Sequence, residues 1–262
     1  MVQIIKQNRL KKKKLGYVIL GVIGIIALII LAFSSPIEQN EGYHNFSDTL
    51  TIGGVPYFWN VISNFPFLIV GVFGIIRLKK MDRVNFQFVT FFIGISFVAV
   101  GSGYYHFNPD SSTLVWDRLP MTIAFTALMS IVISEFIDDK KGKLLFVPFV
   151  LLGIISIVYW IELGDLRLYA FVQFYPILAI PVILILFKSE KNSPNGFWLL
   201  LIAYIGAKLL ETYDFEIHNA LKLVSGHSLK HISASVGIYL WIDSYIRQNK
   251  RPEVTKTALN TA

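Results

Sequence analysis

Long apolar runs, nearly free of charge, alternate along this chain with short polar segments rich in lysine and arginine. The first run, from about Leu15 to Phe33, follows a flank carrying Lys6, Arg9 and Lys11 to Lys14. A helix needs about 20 apolar residues to cross the hydrocarbon core of a bilayer, so this run predicts a membrane span. Runs at about 55–76, 86–105, 119–136, 144–161, 168–187, 196–213 and 227–246 predict seven more, with an amphipathic stretch at 214–226 before the last. Pro176 and Pro181 should bend the span that holds them, which membrane helices tolerate. The fold class expected is therefore all-α, a polytopic membrane helix bundle. A cleaved signal peptide competes for the first run, since Ala32-Phe33-Ser34 is a passable cleavage site. The run is long for such a leader, and a retained anchor is favoured.

Composition agrees, with 54% hydrophobic and only 16% charged residues. The net charge of +7 becomes informative once the basic residues are located. Segments 1–15, 77–83, 137–143, 188–195 and 247–262 hold 19 of the 24 lysines and arginines. By the positive-inside rule these segments are cytoplasmic, as are both termini, and no nucleic-acid partner is needed to explain the charge. Short loops with this bias fit a bacterial inner membrane. The chain has no cysteine, so a transition-metal site must draw on histidine or oxygen ligands.

Polar residues inside spans narrow the function. Asn60, Ser63 and Asn64 recur at spacings of three and four, which makes one side of the second span polar, with Tyr57 and Trp59 suited to the interface. Ser102 and His106 stand four apart, as do His227 and His231, so on helices each pair projects from one face. The charge count places His106, Asp117, His227 and His231 at one leaflet, the extracytoplasmic one. Three imidazoles with a carboxylate nearby make the usual protein shell of a catalytic zinc, with one position left for water. Taken singly, each residue has a blander reading. The histidines can be packing groups, Asp117 a helix N-cap before Leu119 and Pro120, and Ser102 a small residue between glycines. Glu211 and Asp214, with His218 beyond, read as an interfacial polar cluster or as support for a pocket. Tyr104 and Tyr105 read as interfacial aromatics, Tyr105 also as a possible pocket residue, and His44 has no evident partner.

In chain order, the groups Trp59, Asn60, Ser63, Asn64, then Gly101, Ser102, His106, then Asp117, Pro120, Met121, then His227 and His231 resemble the motifs of the alkaline ceramidases. These belong to a superfamily of seven-span membrane hydrolases that also includes the adiponectin-type receptors. The resemblance implies a seven-span ceramidase-like core at 55–246. An N-terminal unit at 1–54, comprising a basic flank, an extra transmembrane helix and an external segment, precedes it, and a cytoplasmic tail at 247–262 follows. It implies zinc as cofactor, held by His106, His227 and His231, with Ser102 and Asp117 acting beside it. The reaction implied is hydrolysis of the N-acyl amide of ceramide, or of a ceramide-like lipid, by zinc-bound water. Asp117 would take the proton of that water and Ser102 would donate to the oxyanion. A membrane lipid is the partner implied, and no protein partner. Where the ceramidases carry an acidic calcium site, Tyr43, His44, Phe46 and Asp48 stand here and Tyr57 replaces a later glutamate, so no calcium site is expected. A lipid-sensing receptor with little or no hydrolysis is the alternative function. A transporter fits less well, since the charged groups collect at one face and no inverted repeat is evident.

Overall fold

The computed structural model describes residues 2–79, 85–189 and 192–249, and those residues form a helical bundle. Lys80, Arg83, Lys191 and the tail beyond residue 249 lie outside the described residues. Helix α1 covers Val2–Phe33. The next span is broken into α2 (Phe58–Ile62) and α3 (Phe65–Leu78), with Ser63 and Asn64 between them and Pro66 opening α3, where its missing N–H costs nothing. Helix α4 runs Phe86–Phe107, capped by the Asn85 side chain, which accepts from the Gln87 N–H. Helix α5 (Ser111–Val132) runs into a π turn at Ile133–Ile137. Then follow α6 (Asp139–Leu163), α7 (Arg167–Leu186), α8 (Asn195–Thr212), α9 (Asp214–Leu221) and α10 (Gly226–Gln248).

Several expected boundaries move, each for a local reason. The segment 107–118 is not a loop. Asp110 forms a capping box with Thr113, so α5 starts at Ser111 and Asp117 lies inside it, not at its N-cap. Asp138 caps α6 by accepting from the Lys141 N–H, which draws the expected polar loop at 138–143 into the helix. Six stretches among the described residues are long and apolar enough to cross a membrane, and α8 joins them only together with α9, at a bend of 79°. The chain is thus a multi-pass membrane protein. Helix α10, expected as the eighth span, is not among these because its inward face is polar. His227, Ser228, His231 and Ser235 are buried, while Ile232, Val236, Tyr239 and Leu240 face outward.

One end of the bundle is closed by aromatic packing. Trp241 of α10, fully buried, stacks on Phe88 and meets Phe91 and Phe197 edge-on or tilted, with centroids 5.1 to 5.8 Å apart. His227 begins the same helix, about 21 Å away at about 1.5 Å per residue. The hydrophobic plug and the polar cluster therefore occupy opposite ends.

Helix α1 lies along α7. Arg167 donates to the carbonyls of Leu31 and Ser34 at 2.9 and 2.5 Å, and also pairs with Asp165. The chain that leaves α1 is held by the Ile37 N–H to Asp165 and by the Leu166 N–H to the Ile37 carbonyl.

Candidate metal centre

Two close helix approaches set the site. Pro120 has no N–H to give to the Trp116 carbonyl, and α4 passes that carbonyl at Gly101. A Cβ there would lie 1.9 Å from Trp116 O, whereas at Gly103 it would meet nothing within 4 Å. Gly101 thus brings Ser102 on α4 beside Asp117 on α5, and both side chains line one cavity. Gly226 plays the same part at the start of α10, where a Cβ would lie 2.2 Å from the Leu210 carbonyl.

The N-terminus of α10 is then fixed by hydrogen bonds. Ser225 caps it by accepting from the Ser228 N–H, and both serine hydroxyls donate to Asn60 Oδ1, at 3.1 and 2.7 Å. Asp214 is buried and accepts from the backbone N–H groups of His227 and Ser47, at 2.7 and 3.0 Å. Glu211 does not share that role. It lies on α8 and holds Lys208 and Lys230, each at 2.6 Å. His218 lies on α9, four positions after Asp214, and lines a second pocket with Asp48 and Lys222.

His106, His227 and His231 converge. Each is at most 5% exposed, and one ligand nitrogen from each lies within 4.8 Å of the others. His106 Nε2 and His227 Nε2 are 3.2 Å apart. Two facing lone pairs repel at that distance unless a proton or a cation sits between them. Nitrogens bound at about 2.0 Å to one tetrahedral ion stand about 3.3 Å apart, so the three rings fit a shared metal. His231 Nδ1 lies 2.8 Å from Ser63 Oγ, and His106 Nδ1 is buried without a partner. Phe46 packs edge-on against both His106 and His227, with centroids 4.7 and 4.6 Å away.

A cavity of about 470 Å³ reaches Ser102, Asp117 and His231 and continues between α5, α7, α8 and α10 as far as Leu128 and Ile238. Its deep part is apolar, and Arg118, Lys208, Glu211 and Lys230 line its upper part.

Other residues turn out differently from expectation. Tyr105 is not an interfacial aromatic. It is buried, and its hydroxyl lies 2.9 Å from His44 Nδ1, while His44 Nε2 lies 3.1 Å from Ser111 Oγ. His44 thus has two partners, Tyr105 among them. Tyr104 is half exposed, in keeping with an interfacial position. Asp48 is buried and accepts from the backbone N–H groups of Leu50 and Asn60, so its carboxylate holds the segment before α2 against that helix. The sequence reading missed Arg118, Lys208 and Lys230. Ionisable residues inside a span are a signal by themselves and would have found them.

No curated protein matches the sequence. A family model described as Ceramidase matches residues 53–203, which include α2 to α7, Ser102, His106 and Asp117. That match extends over more than half of the chain, and with it the protein belongs to the ceramidase family.

Proposed function

We propose that the chain is a zinc-dependent membrane amidohydrolase that cleaves the N-acyl amide of ceramide or a ceramide-like lipid, with residues 55–246 as its catalytic unit. The observation that carries this reading is the meeting of three buried imidazoles beside Ser102 and Asp117 at the end of an apolar cavity. His106, His227 and His231 would hold the ion, which when bound polarises a carbonyl and acidifies water.

The chain's own residues supply the rest. The apolar walls from Val98 to Leu128 take the acyl chain and keep bulk water out. Asp117 accepts a proton from the attacking water as its oxygen bonds to the amide carbon, and returns that proton to the nitrogen as the C–N bond breaks. Ser102 donates to the carbonyl oxygen as negative charge grows there. The products are a fatty acid and a free amine.

The Lys and Arg distribution supports a site on the extracytoplasmic face with both termini inside, as in a bacterial inner membrane. Purified protein is expected to release fatty acid from a fluorescent ceramide. Chelation or His231→Ala should abolish that release, and undiminished turnover in the variant would overturn the reading.

A further inference from the structure

Outside the five basic segments, 24 minus 19 leaves five lysines and arginines: Arg118, Arg167, Lys208, Lys222 and Lys230. Three of them, Arg118, Lys208 and Lys230, line the cavity. The two lysines share the single carboxylate of Glu211. Among the described residues no carboxylate forms an ion pair with Arg118. It is 5% exposed, and its Nη1 is buried without a hydrogen-bond partner. The rings of Tyr43, Trp160 and Tyr169 stand 4.5 to 5.3 Å from the guanidinium carbon. Rings of this kind bind the cation through their π-faces and leave N–H donors unanswered, while a guanidinium fork suits a carboxylate or phosphate.

The position of Arg118 says which part of a substrate it would meet. From Ser102 and Asp117 the apolar cavity runs inward along α5 to Leu128, which takes the acyl chain. Arg118 follows Asp117 on the helix, so its side chain leaves the axis about 100° away from the carboxylate. Its cage is built at the other end of the cavity, from the external segment (Tyr43), the end of α6 (Trp160) and the start of α7 (Tyr169). With its acyl chain toward Leu128, a bound substrate would point its amine half there.

We propose that Arg118, supported by the positive surplus of Lys208 and Lys230 over Glu211, forms a subsite for an anionic group on the amine half of the substrate. This rests on the hydrolase reading and narrows it. The preferred substrate is an N-acyl amide lipid bearing a carboxylate or phosphate, not a neutral ceramide.

The test compares ceramide, ceramide 1-phosphate and N-oleoylserine as substrates of the full chain in neutral-lipid nanodiscs, for wild type, Arg118→Gln and Arg118→Lys. A charge-assisted contact predicts that wild type prefers at least one anionic substrate by about 10- to 100-fold in kcat/KM. In Arg118→Gln that ratio collapses through KM, and in Arg118→Lys part of it returns. A wild type that cleaves ceramide as well as or better than both anionic lipids overturns the proposal, whether or not the variants fold. An equal loss on all three substrates in Arg118→Gln also overturns it, because the cage is then only structural. Dodecyl phosphate provides a readout without turnover. It should raise the Tm of wild type and not that of Arg118→Gln. If no lipid is cleaved but this shift appears, the hydrolase reading fails and the subsite stands. If lipids are cleaved without preference and the shift is absent, the subsite fails alone.

Discussion

Ser63 and His231, 168 positions apart in the chain, meet with Oγ and Nδ1 2.8 Å from each other. Ser63 already donates its one proton to the Asn60 carbonyl at 3.2 Å. Its oxygen can therefore only accept from His231, which puts the imidazole proton on Nδ1 and leaves Nε2 as a bare lone pair. The broken second span thus selects the tautomer that leaves His231 Nε2 free to take a metal. Ser63→Ala removes the acceptor and should weaken metal binding by about 10- to 100-fold, the usual effect of losing a group that orients a ligand. Competition against a chelator measures the change, and an unaltered affinity would show that Ser63 has no part in orienting the ring.

Gly101 and Gly103 flank Ser102 and make a matched pair. Gly101→Ala drives a Cβ into the Trp116 carbonyl, where backbone meets backbone and no side chain can move aside. Helix α4 must then part from α5, separating Ser102 from Asp117, and a misplacement of about 1 Å costs about 100-fold in rate. Gly103→Ala, which meets nothing, should leave both rate and Tm near wild type. Equal behaviour of the two variants in hydrolysis assays would contradict the close approach.

Asp214→Ala strands the N–H groups of His227 and Ser47 at once. Each orphaned buried donor costs about 1–3 kcal/mol, so a large fall in thermal stability is expected, together with reduced metal content. Asp214→Asn keeps one acceptor oxygen and should fall between the alanine variant and wild type. Equal losses in the alanine and asparagine variants would argue that the carboxylate charge, which both remove, matters there and not its hydrogen bonds.

Arg167 ties α1, which precedes the residues matched by the family model, to α7. Arg167→Ala removes its bonds to Leu31 and Ser34 and leaves Asp165, whose side chain is 3% exposed, without its cationic partner. The connection at residues 34–40 should then be cleaved faster in limited proteolysis than in wild type. An unchanged cleavage rate would mean that apolar contacts such as Tyr17 against Phe187, at 5.0 Å, hold α1 without the arginine.

The helical class and the convergence of His106, His227 and His231 were legible from spacing and charge alone, because membrane spans and the positive-inside bias are strong, local signals. Asp117 was legible as a candidate site residue but not as a mid-helix one. The capping box at Asp110 begins α5 about two turns earlier than the apolar run suggests. Tyr105 and His44 show the opposite limit. Their pairing links α4 to the segment between α1 and α2, 61 positions away, and no periodicity in either stretch encodes the other. Helix α10 was legible as the last span, and the face it buries is polar and carries two of the three histidines.

The most direct measurement is elemental analysis of the purified protein, wild type beside His106→Ala, His227→Ala and His231→Ala. A shared ion predicts one zinc per wild-type chain and its loss in each variant, with folding checked by circular dichroism. Wild-type protein without stoichiometric metal, or folded variants that retain a full equivalent, would contradict the metal centre.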